Sequence, residues 1–287
     1  MIAVVAKALN PIIIIFLTST MLACGLGLTV RQIFAPFRNV RLAIAAALLN
    51  FLVVPFIAIA ASRLVGIDES LRYGLVLLAM TAAGEVSPKF TGSAKGNVGL
   101  SVGLLALSLG VAIFYLPMML SVLLPDVHVD RAHLLVKLCL TLAMPIILGL
   151  FVKARWDTFA DRLGHYVHKI SSASMVLLVV LLVILYYGDF LQLLGSGSIG
   201  AALIFIAVAF IAGYVLGWPE RGARMAMGFA AAARNNGVAL MVASGTFADR
   251  PQVLVMVILT AVLTLIVLLP LSVILGRRAS RQESAVA

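Results

Sequence analysis

TAAGEVSPKFTGSAK, residues 81–95, and MAMGFAAAARNNGVALMVASGTF, residues 225–247, are the two stretches on which the reading of this chain turns. Each starts as an apolar helix and then meets glycine, charge or polar amides near its middle. Pro88 lacks an N–H and usually interrupts a helix. Asn235 and Asn236 are residues that cap a helix start. Charges inside a membrane bundle are costly and mark a substrate or ion path. The question is therefore why Glu85, Lys89 and Arg234 sit in such surroundings.

Those surroundings are apolar from end to end. Of 287 residues, 63% are hydrophobic and 11% charged, against about a quarter charged in a soluble domain. Several runs reach the roughly 20 residues that a helix needs to cross the hydrocarbon core. Their continuity argues against the alternating pattern of a barrel. The expected fold is an all-α polytopic membrane protein of nine segments, at 9–29, 42–65, 69–95, 97–124, 132–153, 167–188, 199–217, 220–247 and 249–275. The first reads as a retained helix, since no small-residue cleavage site follows it. The net charge of +10 does not indicate nucleic acid, because the basic residues lie in loops and not in one patch. Cys24 and Cys139 read as small apolar residues. His128, His133, His165 and His168 fall in or near loops with no HExxH, so no metal site is expected. Without a paired-carboxylate site, nucleophile–base pair or metal cluster, nothing points to an enzyme.

Thirteen Lys and Arg fall on the side of loops 30–41, 95–96, 154–166 and 218–224 and the tail. Five (Lys7, Arg63, Arg72, Arg131, Arg250) fall on the other. The bias places the C-terminus in the cytoplasm and the N-terminus outside, in a bacterial inner membrane. The interrupted segments, third and eighth, are five apart, so equivalent helices run in opposite directions. Inverted repeats with a broken helix in each half characterise secondary transporters that bind substrate at the midplane. The expected organisation is one transmembrane transporter domain over 1–275, with repeats of about 9–124 and 132–275. A short, basic, disordered cytoplasmic tail follows at 276–287.

The run GEVSPKFTGSAKGNVGLSV (84–102) resembles the first crossing-helix motif of the bile acid/sodium symporter family, most clearly at Ala94, Lys95, Gly96, Asn97, Val98, Leu100 and Ser101. ARNNGVAL (233–240) resembles the second, and GLGLTV (25–30) and MPIILGL (144–150) are weaker echoes. The resemblance implies ten helices in two inverted five-helix repeats, split into a panel and a core, with this chain beginning at the second helix. It also implies sodium sites, and here the chain departs. Ser87 is kept, but Pro88 stands at the family's asparagine and Lys89 follows it. Ala230 stands at the family's glutamate and Arg234 at its glutamine. Asn235 is retained, and Asn50 offers a further amide ligand.

Sodium takes oxygen ligands, as hard cations do. Two unit charges 4 Å apart at an effective dielectric of 20 repel by about 4 kcal/mol. Lys89 and Arg234 are thus expected to stand as fixed cations where relatives hold sodium. Glu85 supplies one negative charge, to Lys89 at i,i+4 or to Arg234, and an anionic substrate supplies the other. The substrate-binding candidates are Lys89, Arg234, Asn235, Asn236 and Ser87; Glu85, Asn97, Ser101 and Asn50 are assigned to coupling or ion pairing. Competing readings are a static Glu85–Lys89–Arg234 network, Asn235 and Asn236 as plain caps, Lys95 as a topology charge, and Lys137 snorkelling to the outer interface. Tyr186, Tyr187 and Trp218 read as interfacial aromatics. Thr264 and Leu265 lie near the positions of the relatives' polar pair, which weakens a bile-acid reading. The expected function is secondary transport of a small organic anion, with no cofactor and no ordinary sodium coupling. The alternatives are a sodium-coupled organic anion or bile acid symporter, and a membrane sensor or scaffold that does not transport.

Overall fold

The computed structural model describes residues 2–29, 32, 40–124, 130–193 and 195–286. Arg31 and Arg38 of the first basic loop, Val30 at the end of GLGLTV, and His128 lie outside these residues. Among those described there is no β-strand, and every element is helical. The helices are α1 (Ile2–Gly27), α2 (Val40–Val65), α3 (Glu69–Met80), α4 (Ser87–Ser93), α5 (Val98–Leu123) and α6 (Arg131–Arg155). Then come α7 (Asp157–Leu185), α8 (Tyr187–Leu193), α9 (Ser198–Leu216), α10 (Arg221–Ala232), α11 (Asn236–Thr246) and α12 (Pro251–Val286).

Seven of these are long and apolar enough to span a bilayer among the described residues: α1, α2, α5, α6, α7, α9 and α12. The third and eighth segments of the sequence are each split in two, α3/α4 and α10/α11. Their leading halves are each 12 residues long. The helices that follow, α5 and α12, carry Pro117 and Pro270 in their interiors. Two sequence expectations fail. The loop 154–166 is mostly helix, because α7 starts at Asp157, where Lys153 bridges Asp157 at 2.8 Å and Asp161 at 2.5 Å. The tail after Leu275 is not disordered: α12 continues to Val286, and Arg221 holds its Leu275 carbonyl at 3.0 Å.

Two helices carry π turns, at Leu49–Val53 in α2 and Cys139–Ala143 in α6. A proline follows each, Pro55 and Pro145. Pro55 has no N–H for the carbonyl four residues back, and the Tyr115 hydroxyl donates to that carbonyl, Phe51 O, at 2.6 Å. The π turn also swings Asn50 inward, where it is 3% exposed. The helix α1 packs on α6 and α7; α3 packs on α12 and α2, and α10 on α9. Glycines from the two weak motif echoes, Gly25 and Gly149, meet where α1 and α6 touch. A Cβ on Gly25 would lie 2.4 Å from Ile146 O, and one on Gly149 would lie 2.7 Å from Leu26 N. Small residues let membrane helices approach in this way.

Candidate functional site

The two breaks lie against each other. Residues 81–86 and 233–235 run antiparallel and form one isolated bridge, Ala83 with Arg234. Gly84 N–H donates to Ala233 O at 2.7 Å, and Asn235 N–H donates to Ala82 O at 3.0 Å. A helix end in an apolar interior must place its orphan backbone groups somewhere, and here each break satisfies the other. The approach is close enough to require glycine: a Cβ on Gly84 would sit 2.6 Å from Arg234 O. The Ser108 hydroxyl accepts from Ala83 N–H at 3.2 Å.

Arg234 is 2% exposed and faces oxygen on several sides. Nη2 donates to Ala79 O at 2.9 Å and to Thr81 O, both at the C-terminal end of α3. Nη1 donates to Asn50 Oδ1 at 2.5 Å on the π turn of α2. Longer contacts reach Asn50 O at 3.4 Å and Ala230 O at 3.5 Å. Asn50 is held by its own Nδ2, which donates to Ala46 O at 2.9 Å. The guanidinium therefore caps the carbonyl end of α3, where the helix dipole also favours a cation. No carboxylate lies within 4 Å of it among the described residues. Its surroundings, backbone carbonyls and one amide oxygen, are those of a cation site whose cation is covalently attached.

Lys89 is elsewhere. It is exposed, and its Nζ lies 3.0 Å from His168 Nε2 on α7. Glu85 forms no ion pair within 4 Å with either Lys89 or Arg234 among the described residues, so the i,i+4 pairing that the sequence allows is not made. Pro88 and the break at Val86 give the reason, since the two residues are not on one continuous helix. Glu85, Lys89 and His168 instead line one cavity of about 260 Å³ between α1, α4, α5 and α7. Thr20, Cys24, Ser171 and Ser172 add polar edges, and Phe16, Leu105 and Met175 add apolar wall. Thr20 and Ser171 share a 2.5 Å hydrogen bond across α1 and α7.

The remaining sequence candidates divide. Asn235 caps α11, its Oδ1 accepting from Val238 N–H at 3.0 Å, while its Nδ2 is buried without a partner among the described residues. Ser87 is fully buried and its hydroxyl likewise has no partner. Asn236 is half-buried against Phe16, Met175 and Leu240. Asn97 is a cap: its Oδ1 accepts from Leu100 N–H at 2.9 Å, and its N–H donates to Gly222 O. Ser101 accepts from the Thr91 hydroxyl at 3.1 Å. Lys95 is exposed, at a left-handed turn with φ of 54°. Lys137 is half-buried, with its Nζ beside Gly245 near the end of α11. Tyr187 and Trp218 are 61% and 71% exposed. Thr264 spends its hydroxyl on Thr260 O.

Sequence reasoning missed His168, Thr20 and Ser171 as members of one cavity. His168, Ser171 and Ser172 stand at i, i+3 and i+4, a spacing that puts them on one helix face. The expected segment 167–188 puts His168 at its edge, in or near a loop, whereas α7 begins ten residues earlier at Asp157 and places His168 well inside a helix.

Two interrupted helices that meet inside an apolar helical bundle, seven of whose described helices are long and apolar enough to cross a bilayer, define the class as a polytopic helical membrane protein. The chain belongs to the Sodium Bile acid symporter family, whose pattern it matches over residues 14–193. That match includes the first break and ends before the second. Among relatives, the chain is 28% identical over 199 residues to a probable sodium/metabolite cotransporter, BASS2, chloroplastic, of Oryza sativa subsp. japonica, covering 69% of this chain and 46% of that protein. It is 24% identical over 211 residues to the uncharacterized sodium-dependent transporter YocS of Bacillus subtilis, covering 73% and 64%. It is 28% identical over 218 residues to human sodium/bile acid cotransporter 4, covering 73% and 48%. The chain spans about half the length of most of these relatives.

Proposed function

We propose that this protein is a secondary transporter of a small organic anion, working by alternating access between two inverted halves, and not coupled to sodium in the usual way. The single observation that carries the sodium-independent part is the Arg234 guanidinium among Ala79 O, Thr81 O and Asn50 Oδ1. At about 4 Å a second cation meets a repulsion of about 4 kcal/mol, roughly a thousandfold in affinity. The inverted-repeat reading draws support from the matched halves α3 and α10, the antiparallel pairing of the breaks, and the proline-bearing helices after them. Nine crossings follow if each split segment spans once. The anion reading draws on Lys89, which lines the cavity without a carboxylate partner among the described residues. The distribution of basic residues supports a cytoplasmic C-terminus.

A second reading keeps sodium, since the relatives are named as sodium cotransporters or as a sodium-dependent transporter. It is favoured by Glu85 Oε2 and Ser87 Oγ, two buried oxygens close in sequence and without partners among the described residues. Uptake of labelled small mono- and dicarboxylates into proteoliposomes, under matched sodium, potassium and choline gradients, separates the two. Equal uptake in all three salts is the expected result; uptake that vanishes without sodium overturns the proposal.

A further inference from the structure

The cavity beside the first break holds two opposite charges that are not paired with each other. Glu85 has a buried carboxylate oxygen with no partner among the described residues. Among the described residues, the polar partner of Lys89 is His168, at 3.0 Å. If the ammonium donates one hydrogen to that imidazole, it keeps two for a ligand. The break at Val86 takes Glu85 and Lys89 off one helix, so no i,i+4 pair closes and both groups are left lining the cavity. A ligand with one anionic group alone would satisfy Lys89 and leave Glu85 facing like charge. A ligand with both a carboxylate and an ammonium satisfies both, and a buried polar group left unpaired is what makes such sites discriminate. The volume of about 260 Å³ is on the order of nine waters, which is small for a steroid. Phe16, Leu105 and Met175 supply an apolar wall for a short aliphatic group.

We infer that the cavity takes a small aliphatic α-amino acid, its carboxylate on Lys89 and its ammonium on Glu85. This rests on the transport reading and replaces its simple anion by a carboxylate that also bears an ammonium, a zwitterion of no net charge. The test uses alanine, valine and leucine, each beside its keto acid and its decarboxylated amine, in sodium-free proteoliposome uptake. The amino acids are expected to be taken up with at least about tenfold preference over both analogues. In Glu85→Gln the preference between amino acid and keto acid is expected to fall by about tenfold or more, with the keto acid gaining. That gain also shows that the variant is folded. Lys89→Ala is expected to lose both. Keto acids carried as well as or better than amino acids by the parent protein overturn the inference and leave the transport reading standing. An unchanged preference in a folded Glu85→Gln also overturns it. Uptake of neither these compounds nor the wider carboxylate panel sinks both.

Discussion

Replacing Arg234 by alanine tests the attached-cation idea directly. The substitution removes the donors for Ala79 O, Thr81 O and Asn50 Oδ1. Leaving a buried acceptor unpaired costs about 1–3 kcal/mol, so the three amount to roughly 3–9 kcal/mol. Against that stands relief from holding a guanidinium out of water, several kcal/mol for a buried ion. A net loss of about 2–4 kcal/mol in potassium or choline is expected. The vacated oxygens, no longer next to a fixed charge, suit a small hard cation. Sodium at ten times its dissociation constant would restore about 1.4 kcal/mol by mass action, or roughly 3–6 °C at about 2–4 °C per kcal/mol. The assay is thermal unfolding of the detergent-purified parent and variant in matched sodium, potassium and choline chlorides. The parent should melt alike in all three and Arg234→Ala should show a sodium-specific rise. Arg234→Lys keeps the charge without the fork, so it should lose stability yet stay indifferent to sodium. A sodium-specific rise in the parent, or an Arg234→Ala that melts like the parent in choline, would refute the reasoning.

Gly84→Ala should destabilise by about 1–3 kcal/mol and abolish uptake, because its Cβ meets Arg234 O at 2.6 Å. Gly110→Ala, with nothing within 4 Å, should stay within about 0.5 kcal/mol of the parent in the same melts. Tyr115→Phe removes the hydroxyl that serves the carbonyl freed by Pro55, and a loss of about 1–2 kcal/mol is expected. In a Cys139→Ser background, maleimide should alkylate Cys24 from the cavity it lines and block uptake. Saturating substrate should slow that labelling; labelling insensitive to substrate would place the substrate elsewhere.

The amino-acid order alone determined that the chain is an apolar helical bundle, and it located the two interruptions, because composition and proline–glycine chemistry act locally. It determined the family as well, through residues 84–102. It also marked Glu85, Lys89 and Arg234 as the charges needing an explanation. It did not determine which of them meet. On sequence, Lys89 and Arg234 are both expected where relatives hold sodium, with Glu85 paired to one or the other. In the fold, Arg234 turns to the carbonyl end of α3 and the π turn of α2, while Lys89 turns away to α7. The physical reason is that a buried guanidinium finds its partners among backbone carbonyls, whose positions depend on how a helix ends and how two breaks cross. Side-chain identity does not encode that. His168 joins the cavity for a similar reason: only the packing of α7 against α1 shows which of its faces looks inward.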